Sequence, residues 1–246
     1  MKRPLGAVVL LMLSGLTWAA ERGVELQEAN IDLTNDASLQ RGARLFVNYC
    51  MGCHSASYMR YNRLAQDLGL TEAQVEANLI FDDKKVGETM TIALDAEMAE
   101  EWFGTAPPDL SVIARARGVD WLYTYLKSFY LDESGSMGVN NLVFPRVGMP
   151  HVLWRLQGWQ RPVYRTEVDE HGREHEVIDH LELVEEGTRT PAEYDRDVRD
   201  LVAFLAYVGE PAQLDRRRLG VWVLLFLALM FVVFYALKKD YWKDVH

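Results

Sequence analysis

Cys50 and Cys53 are the only cysteines in 246 residues, and they stand three apart in CMGCHS with His54 directly behind the second. Four chemistries fit such a pair. A structural disulfide across so short a loop would remove little chain entropy. A dithiol redox couple calls for a βαβ setting, and the flanking residues show no strand-like alternation. Zinc would find three ligands here, with His54 strained against Cys53. Covalent haem attachment uses the whole set: each thiol adds to one vinyl group, and the adjacent imidazole reaches the iron from one side. C-x-x-C-H is the attachment signature of c-type haem, so the stretch reads as a single haem c site with His54 as an axial ligand.

The elements around it must present that site. SLQRGARLFVNYC places Leu39, Ala43, Phe46, Val47 and Cys50 on one helical stripe, with Asp36 or Ser38 as its cap. Gly42 is costly inside a helix and predicts a second helix crossing close by. The remaining axial position has several candidates. Met51 lies between the attachment cysteines and faces wrongly, Met98 reads as a packing or solvated helix position, and Met90 and Met137 fall in expected loops. Met59 is a further thioether, and the histidines at 151, 171, 175, 180 and 246 are weaker candidates. Met149, between Gly148 and Pro150 in FPRVGMPHVLW, has the stiff, extended backbone that suits a thioether aimed at a metal.

APPDLSVIARARG, residues 106–118, starts with the rigid pair Pro107-Pro108 and leads into a helix begun by Asp109 or Ser111, carrying Arg115 and Arg117. Arginines there either pair with haem propionates or form a solvated helix face. TEAQVEANLIF opens with a Thr71/Gln74 capping box, and DWLYTYLKSFYL reads as an aromatic helix starting near Asp120. YDRDVRDLVAFLAYVGEP puts Val198, Leu201, Val202, Leu205 and Val208 on one face and stops at Gly209. VYRTEVDEHGREHEVIDHLELV alternates like a β-hairpin turning at His171, and residues 163–187 carry a local charge of −7.

Two apolar runs frame this domain. MKRPLGAVVLLMLSGLTWAA has the layout of a cleaved secretory signal over residues 1–19. Its loss takes the net charge from −10 to −12, which argues against a nucleic-acid partner. LGVWVLLFLALMFVVFYAL, residues 219–237, reaches about 28 Å as a helix, close to the hydrocarbon thickness. Residues 20–210 then form an exported haem domain, 211–218 a linker, 219–237 a transmembrane helix and 238–246 a short cytoplasmic tail.

CMGCH, APPDLSVIARARG, FPRVGMP, the late amphipathic helix and a C-terminal span ending in YALKKDYWK, in that order, resemble the cytochrome c1 family, the membrane-anchored haem subunit of cytochrome bc1 complexes. The resemblance runs from about residue 30 to the end. It departs from mitochondrial relatives after Gly-Met-Pro, where HVLWRLQGW follows, and in a longer hairpin. It implies a mainly α fold: a cytochrome c-like haem domain with a small β-hairpin insertion and one C-terminal transmembrane helix. By this resemblance Cys50 and Cys53 hold the haem c, His54 and Met149 ligate its iron, Pro108 packs near it and Arg117 meets a propionate. The implied task, as a subunit of a quinol–cytochrome c reductase, is to take an electron from the Rieske iron–sulfur protein, beside cytochrome b, and pass it to a soluble cytochrome c. The implied place is the periplasmic side of a bacterial inner membrane. The alternatives are a membrane-anchored monohaem donor to a terminal oxidase or reductase, and a dithiol or metal-binding module. A pyridine haemochrome spectrum on the denatured membrane protein separates the last of these. Covalent haem is expected there, and its absence would reject the attachment reading.

Overall fold

A computed structural model describes residues 24–169 and 171–244. The signal expected over residues 1–19 lies outside the described residues. The chain opens with α1 (Asp36–Leu45), whose cap is Asn35, accepting from the Ser38 amide at 3.1 Å; Asp36 and Ser38 sit inside the first turn instead. The stripe expected from the sequence is buried along its whole length, but after Leu45 the winding widens to a π turn over Phe46–Cys50. There the Met51 N–H reaches back five residues to the Phe46 carbonyl at 3.0 Å.

Strand β1 (Ala56–Arg60) follows, then α2 (Tyr61–Asp67), α3 (Glu72–Leu79) behind its Thr71/Gln74 capping box, β2 (Thr89–Met90) and α4 (Ala96–Phe103). Next come α5 (Ile113–Arg117), α6 (Val119–Lys127), β3 (Phe129–Leu131), β4 (Val139–Asn141) and α7 (Trp154–Gln157). The hairpin is β5 (Gly158–Val168) with β6 (Glu174–Glu186), and the chain ends in α8 (Pro191–Gly209) and α9 (Gln213–Tyr241).

The fold is helix-rich with small antiparallel two-stranded sheets, β1 with β2, β3 with β4 and β5 with β6. Only the last was expected. A strand does stand just beyond the cysteines, but its partner is antiparallel, so the βαβ setting of a thioredoxin-like dithiol is not built here. The aromatic stretch after Asp120 splits: its helix stops at Lys127 and Phe129–Leu131 become β3, paired with Val139–Asn141. Met90 lies on β2, fully buried, where a loop was expected.

Helix α8 is the post of the domain. Thr190 and Glu193 form a capping box with Pro191 in the first turn. From Leu201 to Val208 each residue is buried, so one apolar face was an underestimate. Helices α1, α5 and α6 all pack on it. Gly42 marks the closest crossing, because a β-carbon there would lie 2.1 Å from the Asp200 carbonyl oxygen and 2.6 Å from Phe204 Cβ. The same crossing buries the Asp200 carboxylate, which accepts from the Ser38 hydroxyl and from Arg41 Nε at 2.5 Å. A buried carboxylate without those donors would cost several kcal/mol, so the pairing and the packing stand together.

Helix α9 shares none of this burial. Its apolar residues face outward along its length, and its most apolar window has a mean hydropathy of 2.6. It is long and apolar enough to cross a membrane by length and composition. It begins at Gln213, so most of the expected linker is wound into the same helix.

Gly42→Ala checks the crossing. In a solvated helix the change would stabilise by about 1 kcal/mol. Here the new methyl meets backbone that cannot rotate away, and a net loss of about 1–3 kcal/mol is expected as a lower thermal unfolding midpoint.

Candidate functional site

The π turn delivers Cys50 to a second, tighter turn. Its carbonyl accepts from both the Cys53 amide at 3.1 Å and the His54 amide at 2.9 Å. The two thiols thus stand on one helical turn, closed on a single carbonyl oxygen. The two thiols stand in different surroundings, Cys50 buried and Cys53 exposed, and they are not bridged. Burial, with Cys53 nearby as a smaller contribution, pushes the Cys50 thiol up to about 12. A dithiol couple needs a readily ionised thiol, and Cys50 is poorly suited to that part.

His54 is oriented from outside the motif. Its Nδ1 lies 2.7 Å from the Pro108 carbonyl oxygen. A carbonyl only accepts, so Nδ1 carries the proton and Nε2 keeps its lone pair for a metal. Burial lowers the imidazole pKa, outweighing the Pro108 hydrogen bond and the Asp109 charge that raise it, so the ring is neutral near pH 7.

The contact belongs to a longer seam. Leu110 N–H donates to the Ser55 carbonyl at 2.8 Å, and Tyr58 N–H donates to Ser111 Oγ at 3.1 Å. Asp109 Oδ2 accepts from the Ser57 amide at 2.9 Å and the Ser57 hydroxyl at 2.5 Å, while Oδ1 accepts from the Ser111 amide at 2.8 Å. Asp109 and Ser111 were expected to cap a helix. They stitch residues 55–58 to the loop instead, and α5 starts only at Ile113, without a side-chain cap. A cleft lined by Cys53, Ile92, Leu94, Ala106 and Pro107 opens beside the seam.

Met149 is half-buried in a loop built by two asparagines that the sequence reading passed over. Asn140 Oδ1 accepts from the Arg146 amide at 2.8 Å, and Asn141 Oδ1 accepts from the amides of Val143 at 3.0 Å and Phe144 at 3.2 Å. Asn141 Nδ2 donates to the Tyr125 carbonyl at 2.8 Å, tying the loop to α6. Two adjacent asparagines before a Phe-Pro turn were the available signal. The thioether itself receives the Tyr125 hydroxyl at 3.4 Å. Gly148 lies beside Thr105, with 3.6 Å from its β-position to the threonine methyl, so this loop abuts the one leading into Pro107-Pro108.

Arg117 sits at the end of α5 with its guanidinium 5.1 Å from the Trp121 ring centroid and 5.8 Å from that of Phe144. It is exposed and has no carboxylate partner among the described residues. Trp121 in turn stacks on Tyr125 at 5.0 Å and 10°. A continuous run of contacts therefore joins Arg117 to Met149 through two aromatic rings one helical turn apart.

The other candidates for the second ligand stand in varied surroundings. Met59 and Met90 are core residues, Met51 Sδ receives the Tyr61 hydroxyl at 3.6 Å, Met98 is exposed on α4, and Met137 packs with Phe129 and Val139. His151 is buried, stacked on Phe129 at 5.0 Å. His171, His175 and His180 ride the exposed hairpin, His180 with Asp179 at 2.9 Å; His246 lies outside the described residues. The donor set thus fits a c-type haem: two free thiols, an imidazole with an open Nε2, a thioether in a braced loop and an unneutralised guanidinium.

Residues 27–245 match the Cytochrome C1 family. Cytochrome c1 of Allochromatium vinosum is 52% identical over 246 residues, the full length of both chains. The ammonia monooxygenase gamma subunit of Nitrosomonas europaea is 48% identical over 239 residues, 97% of each chain. Among solved structures, a chain of a hyperthermophilic respiratory Complex III superimposes with a TM-score of 0.44 at 17% identity, covering 98% of this chain and 96% of that one. The chain belongs to the cytochrome c1 family. It is a membrane-anchored protein with one covalently bound c-type haem, the electron-transfer subunit of a bc1 complex.

The seam has a pH signature. Burial raises the Asp109 carboxyl pKa, but the hydrogen bonds from Ser111 and Ser57 outweigh it and hold the group below its usual range. Its stabilising effect is therefore complete above the unfolded carboxyl range and is lost as pH falls through the folded value. Asp109→Asn is expected to cost about 1 kcal/mol near neutrality, allowing for solvent screening. Thermal unfolding of both proteins against pH should show the gap closing in acid, and a gap independent of pH would reject this role.

Proposed function

As a member of the cytochrome c1 family, this chain, we propose, takes one electron from the Rieske iron–sulfur protein of a bc1 complex that also contains cytochrome b, and passes it to a soluble cytochrome c. The observation that carries the site assignment is the His54–Pro108 hydrogen bond, which commits the Nδ1 proton and leaves Nε2 to the metal. Cys50 and Cys53 would hold the haem through two thioether links, and His54 Nε2 and Met149 Sδ would be the ligands of its iron. Pro108 acts through its carbonyl, as an orienting group for the imidazole. Arg117, with no carboxylate beside it among the described residues, would pair with a haem propionate.

When bound, haem c supplies a one-electron couple at these residues. With His54 and Met149 as its ligands the iron would do no bond chemistry, so the chain's work would be to set the potential and the access of partners. Quinol oxidation belongs to the whole complex. The haem domain, residues 20–210 after signal removal, stands on the periplasmic side of a bacterial inner membrane, held by the span at 219–237 with residues 238–246 on the cytoplasmic side. Its hairpin and surface acids contribute to the chain's net charge, −12 once residues 1–19 are lost from the −10 of the full sequence, which would attract basic partners and repel nucleic acid.

The name of the Nitrosomonas relative, a subunit of a monooxygenase, favours one second reading: a membrane-anchored monohaem donor to another membrane enzyme, such as a terminal oxidase or reductase. Affinity purification of the tagged chain from mild detergent separates the two. Recovery of a b-type cytochrome and a Rieske protein with quinol-dependent cytochrome c reduction supports the first, and their absence beside a copurifying oxidase or oxygenase supports the second. For the site, Met149→Leu should keep the covalent haem, lose the axial-sulfur absorption band of the ferric state, and lower the midpoint potential. Retention of that band would reject Met149 as the ligand.

A further inference from the structure

Tyr125 is tied to the Met149 loop at both ends. Its carbonyl accepts from Asn141 Nδ2 at 2.8 Å, and its hydroxyl donates to Met149 Sδ at 3.4 Å. The ring between them is held on three sides, stacked on Trp121 and edge-on to Phe129 at 5.1 Å and Phe144 at 6.5 Å. That packing needs only a phenyl ring. The hydroxyl is an additional group in partly buried surroundings, and the thioether is its hydrogen-bond partner among the described residues. A thioether is a weak acceptor, so placing a buried phenol on one is a poor choice for stability alone.

We propose that Tyr125 is a positioning residue for electron transfer. Its hydroxyl occupies one lone pair of the Met149 sulfur, which fixes the thioether rotamer and leaves the other lone pair for the metal. It also draws electron density from the sulfur. A poorer donor stabilises the oxidised state less, so the hydrogen bond shifts the couple towards the reduced form. The inference rests on the reading of Met149 as the axial ligand.

Tyr125→Phe keeps every ring contact and deletes only the hydrogen bond. In the haem-loaded membrane protein, the oxidised-to-reduced ratio at a fixed poise should rise about fivefold, the size of one ordinary hydrogen bond. The ferric sulfur band should shift with it. Site-specific 3-fluorotyrosine at position 125, a more acidic phenol and a stronger donor, should move the ratio the opposite way. It also serves alone if the phenylalanine variant does not assemble. Opposite shifts from the two changes support the proposal, because a merely structural role would not reverse sign with donor strength. An unchanged potential in both, or shifts of the same sign, overturns it. If Met149→Leu has lost its axial sulfur in the same assays, only the role of Tyr125 has failed. If that variant keeps its sulfur, the ligand reading fails and this inference with it.

Discussion

The hydrogen bond between His54 Nδ1 and the Pro108 carbonyl oxygen is the point on which the two halves of the site meet. It does what the C-x-x-C-H motif cannot do for itself. Two cysteines can hold a porphyrin edge, but the imidazole behind them is free to choose its tautomer and to rotate. A carbonyl oxygen in a proline-stiffened loop removes both freedoms. The remaining seam, from Ser55–Leu110 to Tyr58–Ser111, keeps that carbonyl in place. Loss of the seam would leave the cysteines where they are and release the imidazole.

Further from the iron, the same logic is carried by α8. It is polar at its start and buried on all sides towards its end, and the helices leading to each part of the site pack on it. Helix α1 leads to Cys50, α5 ends in Arg117, and α6 carries Trp121 and Tyr125. The crossing at Gly42 brings α1 to backbone contact, and the buried Asp200 pairs with Arg41 and Ser38 across it. Such a pairing adds little net stability, since desolvation offsets most of the attraction. Breaking one partner, however, would strand a buried charge, so it selects this crossing over a slipped one.

The parts of this arrangement that are local in sequence were legible before any coordinates. Cys50, Cys53 and His54 declare themselves by spacing; the capping box at Thr71, the stripe of α1 and the close crossing at Gly42 each follow from residue types a few positions apart. The parts that depend on distant residues were not. Nothing within the first helix says that its last turn relaxes to a π turn. Nothing in the PPDLS stretch says that Asp109 will serve a strand fifty residues earlier rather than the helix ahead of it. The three-residue strand β3 is too short for alternation to outweigh its aromatic, helix-like neighbours. Tyr125 stands 24 positions from Met149, and only the fold of the asparagine-built loop brings hydroxyl and sulfur together. The proposal of Met149 as a ligand rests on its Gly-Met-Pro setting and the family resemblance, and neither reveals its neighbours.

The joint between the last two helices sets how far the domain can travel. Helix α8 ends at Gly209 and α9 begins at Gln213, and the intervening Glu210 is itself bound by Arg216 of the next helix. Three residues, even fully extended, give a leash of about 10 Å. The joint keeps the end of α8 within about that distance of the first turn of α9.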